Sequence, residues 1–271
     1  MNNEGGKNPV VMTVAGFDPS AGAGVLADIK TISAFGCYGI AAVTSVTLQN
    51  TQMIAGACHQ TPASLRQQMS MLFDDFDVAA VKTGMLPTED IVEEVANLVR
   101  GRSLHVVVDP VKNSSSGEEL ADDRATEALV KYLLPLSSVV TPNVTEAERL
   151  SGMVIRDRLS MEQGASEILK RGAGAVLITG GDSESDKCLD MLVDEQGTAI
   201  YDSQRVQSPH THGTGCSVAS AIACLLAQGR SLRDSIPIAK RYITQAILNA
   251  PQLGKGHGPL NHFPPGFDFE S

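Results

Sequence analysis

The chain has 271 residues, of which 42% are hydrophobic and 19% charged, a balance typical of a globular protein and not of a disordered one. Its formal net charge of -10 argues against nucleic acid as the main partner, because binding nucleic acid needs clustered Lys and Arg. The chain shows no membrane-length apolar run, no signal peptide and no metal-type spacing among its five cysteines, so we expect a cytoplasmic protein with free thiols.

Strands and helices alternate along the chain after a loose leader at residues 1–9. The predicted strands are VVMTVAG, GIAAVTSVTLQ, VAAVKTG, LHVVVDP, SVVTPN and AVLITGG, followed by a hairpin over CLDMLVDEQGTAIYDSQRV. The predicted helices are 24–35, TPASLRQQMSMLFDDF, Glu89–Val99, 125–134, 161–171, 216–227 and Leu232–Leu248. The continuous Val, Ala and Ile runs indicate strands buried on both faces. We therefore predict an α/β fold with a mostly parallel sheet between helices, in one domain over residues 10–271.

Polar and glycine-rich segments follow the six strands. They read AGFDPSAGAG, LQNT, KTGM, VDPVKNSSSG, TPNVTEAE and TGGD. Ligands of open α/β sheets bind beyond the carboxyl ends of the strands, although ordinary turns also favour these residue types. The six segments together predict one ligand crevice.

The segment HGTGCSVASA joins a glycine loop to a helix of small residues. Gly213, Thr214 and Gly215 allow the backbone to approach a phosphate, and a helix N-terminus attracts anions. Cys216 follows the loop directly, and a thiol at a helix N-terminus is expected to have a lowered pKa. The sequence leaves three roles open for Cys216: a covalent nucleophile, a general base or a small buried residue.

Three further strand ends carry side chains with candidate roles. Asn143 and Glu146, in NVTE, offer an amide and a carboxylate to a hydrated Mg²⁺, and their spacing is equally that of a helix cap. Asp109 ends VVVDP and is a candidate for metal binding or phosphate-side electrostatics, or else a turn former. Gln49 has an amide that both donates and accepts, as recognition of an amino-substituted heteroaromatic ring requires, or else it is a solvent-facing loop residue.

Taken together, these motifs resemble the hydroxymethylpyrimidine/phosphomethylpyrimidine kinases of the ribokinase-like superfamily. The resemblance runs from about residue 10 to residue 263 through AGFDPSAGAGVLADIKTISAFGCYG, VTLQNT, KTGML, VVDPV, TPNVTEAERLSG, HTHGTGCSVASAIA and GKGHGPLNHF. It implies a ribokinase-like three-layer sandwich with a central, mostly parallel sheet. It also implies ATP-dependent phosphorylation of the hydroxymethyl group of 4-amino-5-hydroxymethyl-2-methylpyrimidine in thiamine biosynthesis, with the monophosphate as a second candidate acceptor.

The resemblance further implies roles for individual residues. Cys216 takes the position of the catalytic base, and the anion hole is formed by Gly213, Thr214 and Gly215. The substrate-binding residues implied are Gln49, Gly16, Met85 and Val111. The implied ATP-binding residues are Thr179 and Gly181, and the candidate Mg²⁺ ligands are Asp109, Asn143 and Glu146.

Two departures from the family pattern bear on the acceptor. Ser115 and Thr179 stand where the family usually has lysines, so two cationic groups are missing near the expected phosphates. This puts phosphorylation of the monophosphate in question and leaves a pyridoxal or pyridoxine kinase as the alternative. Remoter alternatives are a non-catalytic ligand-binding relative and a cysteine-nucleophile acyltransferase. The family is commonly homodimeric, which implies a homodimer here, with no nucleic-acid or membrane partner.

Overall fold

The computed structural model describes residues 8–114, 117–180 and 187–269 of the chain. Most of the predicted leader at residues 1–9 lies outside these ranges, as do Ser115 and Gly181. Within the described ranges, no helix is both long enough and apolar enough to cross a membrane.

One sheet is formed by nine strands of the described residues. Their spatial order is β3-β2-β1-β4-β5-β6-β7-β8-β9. The strands are β1 (Val10–Phe17), β2 (Tyr38–Gln49), β3 (Ile54–His59), β4 (Val78–Thr83), β5 (His105–Val108), β6 (Val139–Val140), β7 (Val176–Ile178), β8 (Lys187–Asp194) and β9 (Gly197–Gln204). The pairs from β2 through β7 are parallel, whereas β3, β8 and β9 join antiparallel at the two edges. The carboxyl ends of six parallel strands therefore meet along one edge of the sheet.

Helices cover both faces of the sheet. They are α1 (Gly24–Ala34), α2 (Pro62–Asp75), α3 (Glu89–Val99), α4 (Asp123–Ala128), α5 (Val144–Ser151), α6 (Arg158–Lys170), α7 (Thr214–Ala227) and α8 (Leu232–Leu248). Buried side chains of α2 to α6 form one apolar cluster with the sheet, and those of α1, α7 and α8 form a second cluster on the opposite face. The predicted three-layer sandwich is confirmed.

Local sequence explains most of the element boundaries. α2 begins as predicted, because the Thr61 side chain accepts the Ser64 N–H at 3.1 Å and Pro62 occupies the first helical turn. The predicted hairpin is also confirmed, with β8 and β9 joined at Gly197, whose φ is 97°.

The structure differs from the predictions in four places. The strand β3 and the helix α5 were not predicted. The predicted helix 125–134 is regular only to Ala128 and continues as a π-turn over Leu129–Leu133 and a 3₁₀ turn over Leu134–Leu136, because Pro135 cannot continue an α-helix. α7 begins at Thr214 and not at Cys216, which makes Cys216 the third residue of the helix.

Candidate active site

The glycine loop before α7 is held against the loop that follows β1. Gly213 has φ 85°, and a Cβ at this position would lie 1.9 Å from the Gly22 carbonyl oxygen, so the position requires glycine. The first intrahelical hydrogen bond runs from Ser217 N–H to the Gly213 carbonyl at 3.0 Å. The N–H groups of Gly215 and Cys216 precede that bond, and the space beside Gly215 is open. This is the geometry of a backbone anion-binding site.

Cys216 lies next to a buried cluster of charged side chains. Its thiol lies within electrostatic range of the carboxyl group of Asp109, and Lys82 lies close enough to act on both. Burial raises the pKa of the Cys216 thiol to about 12, with Asp109 and Asp28 adding to the effect and Lys82 opposing it. The expectation of a lowered thiol pKa was therefore wrong, because desolvation and two neighbouring carboxylates outweigh the helix terminus and the lysine.

The sequence analysis did not identify this cluster, which is centred on Lys82. Lys82 is fully buried on β4, and its Nζ lies 2.9 and 3.0 Å from the two carboxylate oxygens of Asp28 and 3.8 Å from Asp109. Thr13 and Ser220 also donate to Asp28, at 2.5 and 2.8 Å. A lysine inside a strand of apolar residues was the available signal, because a buried charge needs a partner.

Asp109 has a strongly raised carboxyl pKa. Burial raises it to about 6, although Lys82 and the Cys216 thiol both act to lower it. Its Oδ2 accepts no hydrogen bond from the described residues. An anionic oxygen is therefore left for a cation, a proton or a ligand at this strand end.

Gln49 ends β2 and contacts a histidine from the glycine loop. Its Nε2 lies 3.2 Å from His212 Nε2, and its Oε1 lies 3.1 Å from Thr47 Oγ1. His212 Nε2 is also 2.9 Å from Asp18 Oδ2, and all of these side chains except Gln49 are largely buried. No role was predicted for His212, because its contact with Gln49 depends on the tertiary fold.

The predicted pocket wall is partly assembled. A Cβ on Gly16 would lie 2.9 Å from Met85 Sδ, so these two residues are in direct contact. Val111 borders a small cavity that it shares with Gly84 and Glu146. The segments that follow β4, β5 and β6 therefore adjoin one another along the same edge of the sheet.

The predicted metal ligands Asn143 and Glu146 form a capping box at the start of α5. Asn143 Oδ1 accepts the Glu146 N–H, and Glu146 Oε2 accepts the Asn143 N–H, both at 2.9 Å. Thr179 pairs with Asn143 through a β-bridge, which places the predicted ATP-binding segment beside this pair. The helix-cap and metal-ligand interpretations of NVTE are compatible with each other, because a capping carboxylate and amide keep further oxygen lone pairs for a metal. Among the described residues, no group of three or more His, Cys, Asp or Glu side chains could hold a metal alone.

Lys112, in the segment after β5, is engaged by carboxylates. It forms ion pairs with Glu119, at 3.5 Å, and with Asp123. These carboxylates raise its pKa and direct its charge toward α4. We therefore do not expect it to replace the lysine that the family usually has in this segment.

Comparison with known proteins identifies a family. A sequence profile described as phosphomethylpyrimidine kinase matches residues 18–261. The hydroxymethylpyrimidine/phosphomethylpyrimidine kinase of Streptomyces coelicolor is 41% identical over 94% of this chain and 94% of its own length. The thiamine biosynthesis bifunctional protein ThiED of Geobacter sulfurreducens is 46% identical over 93% of this chain, which spans 52% of that longer protein.

Solved structures with the same fold include two kinds of kinase. A pyridoxal kinase from Staphylococcus aureus, in complex with AMP-PCP and pyridoxal, has a TM-score of 0.88 at 32% identity and 96% coverage of both chains. A phosphomethylpyrimidine kinase from Clostridium difficile has a TM-score of 0.78 at 35% identity, covering 89% of this chain and 100% of its own. The predicted ribokinase-like fold and phosphotransferase class are confirmed, and the chain belongs to the phosphomethylpyrimidine kinase family.

Proposed function

We propose that the protein transfers the γ-phosphoryl group of ATP to the hydroxymethyl group of 4-amino-5-hydroxymethyl-2-methylpyrimidine, in thiamine biosynthesis. The observation that carries the proposal is the junction of the two loops: the anion-binding backbone at Gly213 rests on Gly22, and His212 beside it contacts Gln49. A phosphate site and a ring-recognising amide are thus parts of one assembly. Kinase relatives named for this acceptor support the assignment.

On the phosphate side, the N–H groups of Gly215 and Cys216, with Thr214, would hold oxygens of the transferred group. Thr179 and Gly181 would contact ATP from the neighbouring strand end. The oxygen donors of Asn143 and Glu146 suit Mg²⁺, which is usually bound by one or two carboxylates together with substrate phosphates and water. Asp109, predicted as a third ligand, lies against Cys216 and Lys82 and would serve the proton of the thiol instead. Mg²⁺ would supply charge neutralisation to the phosphates, and relatives solved in complex with AMP-PCP or ADP support the use of ATP.

Cys216 would accept the hydroxyl proton as the substrate oxygen attacks the γ-phosphorus. Because its pKa is about 12, the thiol is protonated before the reaction and must lose its own proton. The ionised carboxylate of Asp109, which lies beside the thiol, would provide a destination for that proton. Proton acceptance by Cys216 and proton donation to Asp109 would therefore occur together, with Lys82 balancing the negative charge.

On the ring side, Gln49 would bind the aminopyrimidine, with Gly16, Met85 and Val111 forming the wall. The monophosphate is a weaker candidate acceptor, because Thr179 and Ser115 replace two lysines and Lys112 is committed to carboxylates. We further propose a cytoplasmic homodimer, in line with the family resemblance.

A pyridoxal kinase is the second candidate, favoured by the TM-score of 0.88 to the Staphylococcus aureus pyridoxal kinase. The test is a panel of pyrimidine and pyridine alcohols with Mg-ATP, scored by kcat/KM. We expect the hydroxymethylpyrimidine to be the better acceptor. A higher kcat/KM for pyridoxal would assign the protein to the second candidate, and absence of ATP consumption with every alcohol would refute both.

A further inference from the structure

His212 makes two polar contacts through the same nitrogen atom. Its Nε2 lies 2.9 Å from Asp18 Oδ2 and 3.2 Å from the Gln49 amide nitrogen. A ring nitrogen of neutral histidine either donates or accepts, but does not do both. The partners of Asp18 decide which role this nitrogen has.

Asp18 is an ionised acceptor. Its Oδ1 accepts hydrogen bonds from the Ser20 N–H and hydroxyl, and its Oδ2 accepts the N–H groups of Gly22 and Ala23. Burial opposes ionisation, but the hydrogen bonds from His212 and Ser20 outweigh it and hold the Asp18 pKa below its usual value. A carboxylate accepts only, so His212 Nε2 carries a proton and donates it.

A protonated Nε2 cannot accept from the amide nitrogen of Gln49, and the other end of the amide has a matching conflict. Thr47 Oγ1 lies 3.1 Å from both the Phe17 carbonyl and Gln49 Oε1, yet its hydroxyl has one proton for two acceptors. Rotating the amide by 180° exchanges its oxygen and nitrogen, so that each of these close contacts joins a donor to an acceptor. His212 then shares its Nε2 proton between Asp18 Oδ2 and the Gln49 oxygen in a bifurcated hydrogen bond. The Gln49 nitrogen donates to Thr47, whose own proton goes to Phe17.

We propose that Asp18 and His212, together with Thr47, are positioning residues that fix the Gln49 amide in this single orientation and thereby select the ring of the acceptor. Thr47 occupies one N–H of the amide and His212 one oxygen lone pair, while Asp18 fixes the proton of His212 on Nε2. The remaining N–H and lone pair form an ordered donor–acceptor pair, which complements a ring nitrogen next to an amino group. This inference rests on the proposed function, because it assigns the ring that the same site receives.

The test is a double-mutant cycle. His212→Phe keeps the ring shape beside Gly22 and removes the hydrogen bond, and Thr47→Val removes the bond at the other end of the amide with little change of volume. Each change is expected to raise KM for the aminopyrimidine alcohol on the order of tenfold, as loss of one buried hydrogen bond implies, with KM for ATP unchanged. In a Gln49→Leu background, which has no amide to orient, neither change should raise KM further.

A matched control is His105→Phe, because His105 is exposed at the amino end of β5, on the edge of the sheet opposite the site. It should leave both KM values unchanged. Equal rises of KM with and without the Gln49→Leu change would show that His212 and Thr47 act on general structure, and would overturn the inference. An unmutated protein that phosphorylates no pyrimidine alcohol would instead refute the proposed function.

Discussion

Replacing Asp109 by asparagine is expected to stabilise the fold at neutral pH. The Asp109 pKa of about 6 means that the folded protein binds its proton more tightly than the unfolded chain, whose reference pKa is 3.8. Above pH 6, the carboxyl is ionised in both states and its burial costs stability. Below pH 3.8, it is neutral in both states and the cost disappears. Asparagine, which is never ionised, removes that cost at every pH.

The magnitude follows from the two pKa values. Linkage gives a cost of about 3 kcal/mol at pH 7.5 and about 1 kcal/mol at pH 4.5. Asp109→Asn should therefore raise the free energy of unfolding by about 3 kcal/mol at pH 7.5 and by about 1 kcal/mol at pH 4.5. The attraction of Lys82 is already contained in the pKa, and Lys82 keeps both oxygens of Asp28 in the variant.

Urea unfolding of both proteins at the two pH values measures this difference, and effects common to both proteins cancel. Asp77→Asn is a matched control, because Asp77 is exposed and its substitution should change stability by less than about 0.5 kcal/mol. A variant that is destabilised at pH 7.5, or whose gain does not depend on pH, would refute the reasoning. The Asp109→Asn variant should also have a lower kcat, because residues that reduce stability at an active site often serve the function.

Three further variants test the site. Cys216→Ala should lower kcat by a factor on the order of 10²–10⁴, as for loss of a general base, while ATP binding is retained. Cys216→Asp should keep more activity than the alanine variant. A near-normal kcat in the alanine variant would exclude Cys216 as the base. Gln49→Ala should narrow the preference for the pyrimidine alcohol over pyridoxal by about 1–3 kcal/mol in kcat/KM, and an unchanged ratio would show that Gln49 does not recognise the ring. Lys82→Met should lower the free energy of unfolding by about 3–5 kcal/mol in urea, because it leaves Asp28 buried without its cation, and a loss below about 1 kcal/mol would contradict the importance of that pair.

The sequence was sufficient for the order of the main strands and helices because their signals are local. Runs such as VVMTVAG are buried on both faces, and caps such as Thr61 mark a helix start. β3 was missed because IAGACH contains a glycine and small residues, and it is held by pairing with β2 at the edge of the sheet. α5 was anticipated only through the helix-cap interpretation of Asn143 and Glu146, and its length was not predicted because the segment is short.

The motifs at the strand ends were also predicted from local sequence. The ion pairs and pKa shifts of their side chains were not. Lys82 and Asp28 are 54 residues apart, and Asp18 and His212 are 194 residues apart, so neither pair is visible in the sequence as a pair. The error over the Cys216 pKa has the same origin. A helix N-terminus can be recognised from a few residues, whereas the desolvation that dominates here is created by distant parts of the chain.

The contact between the loops at Gly22 and Gly213 also has a consequence for how the site is acquired. It joins two segments from opposite ends of the chain, with the Asp18–His212 hydrogen bond spanning 194 residues. Contacts of such long sequence separation form only after the intervening chain has been ordered. A protein still emerging from the ribosome can complete most of the sheet before α7 exists, but it has no anion-binding loop. Catalytic competence therefore reports that the chain has been made and folded at least as far as α7.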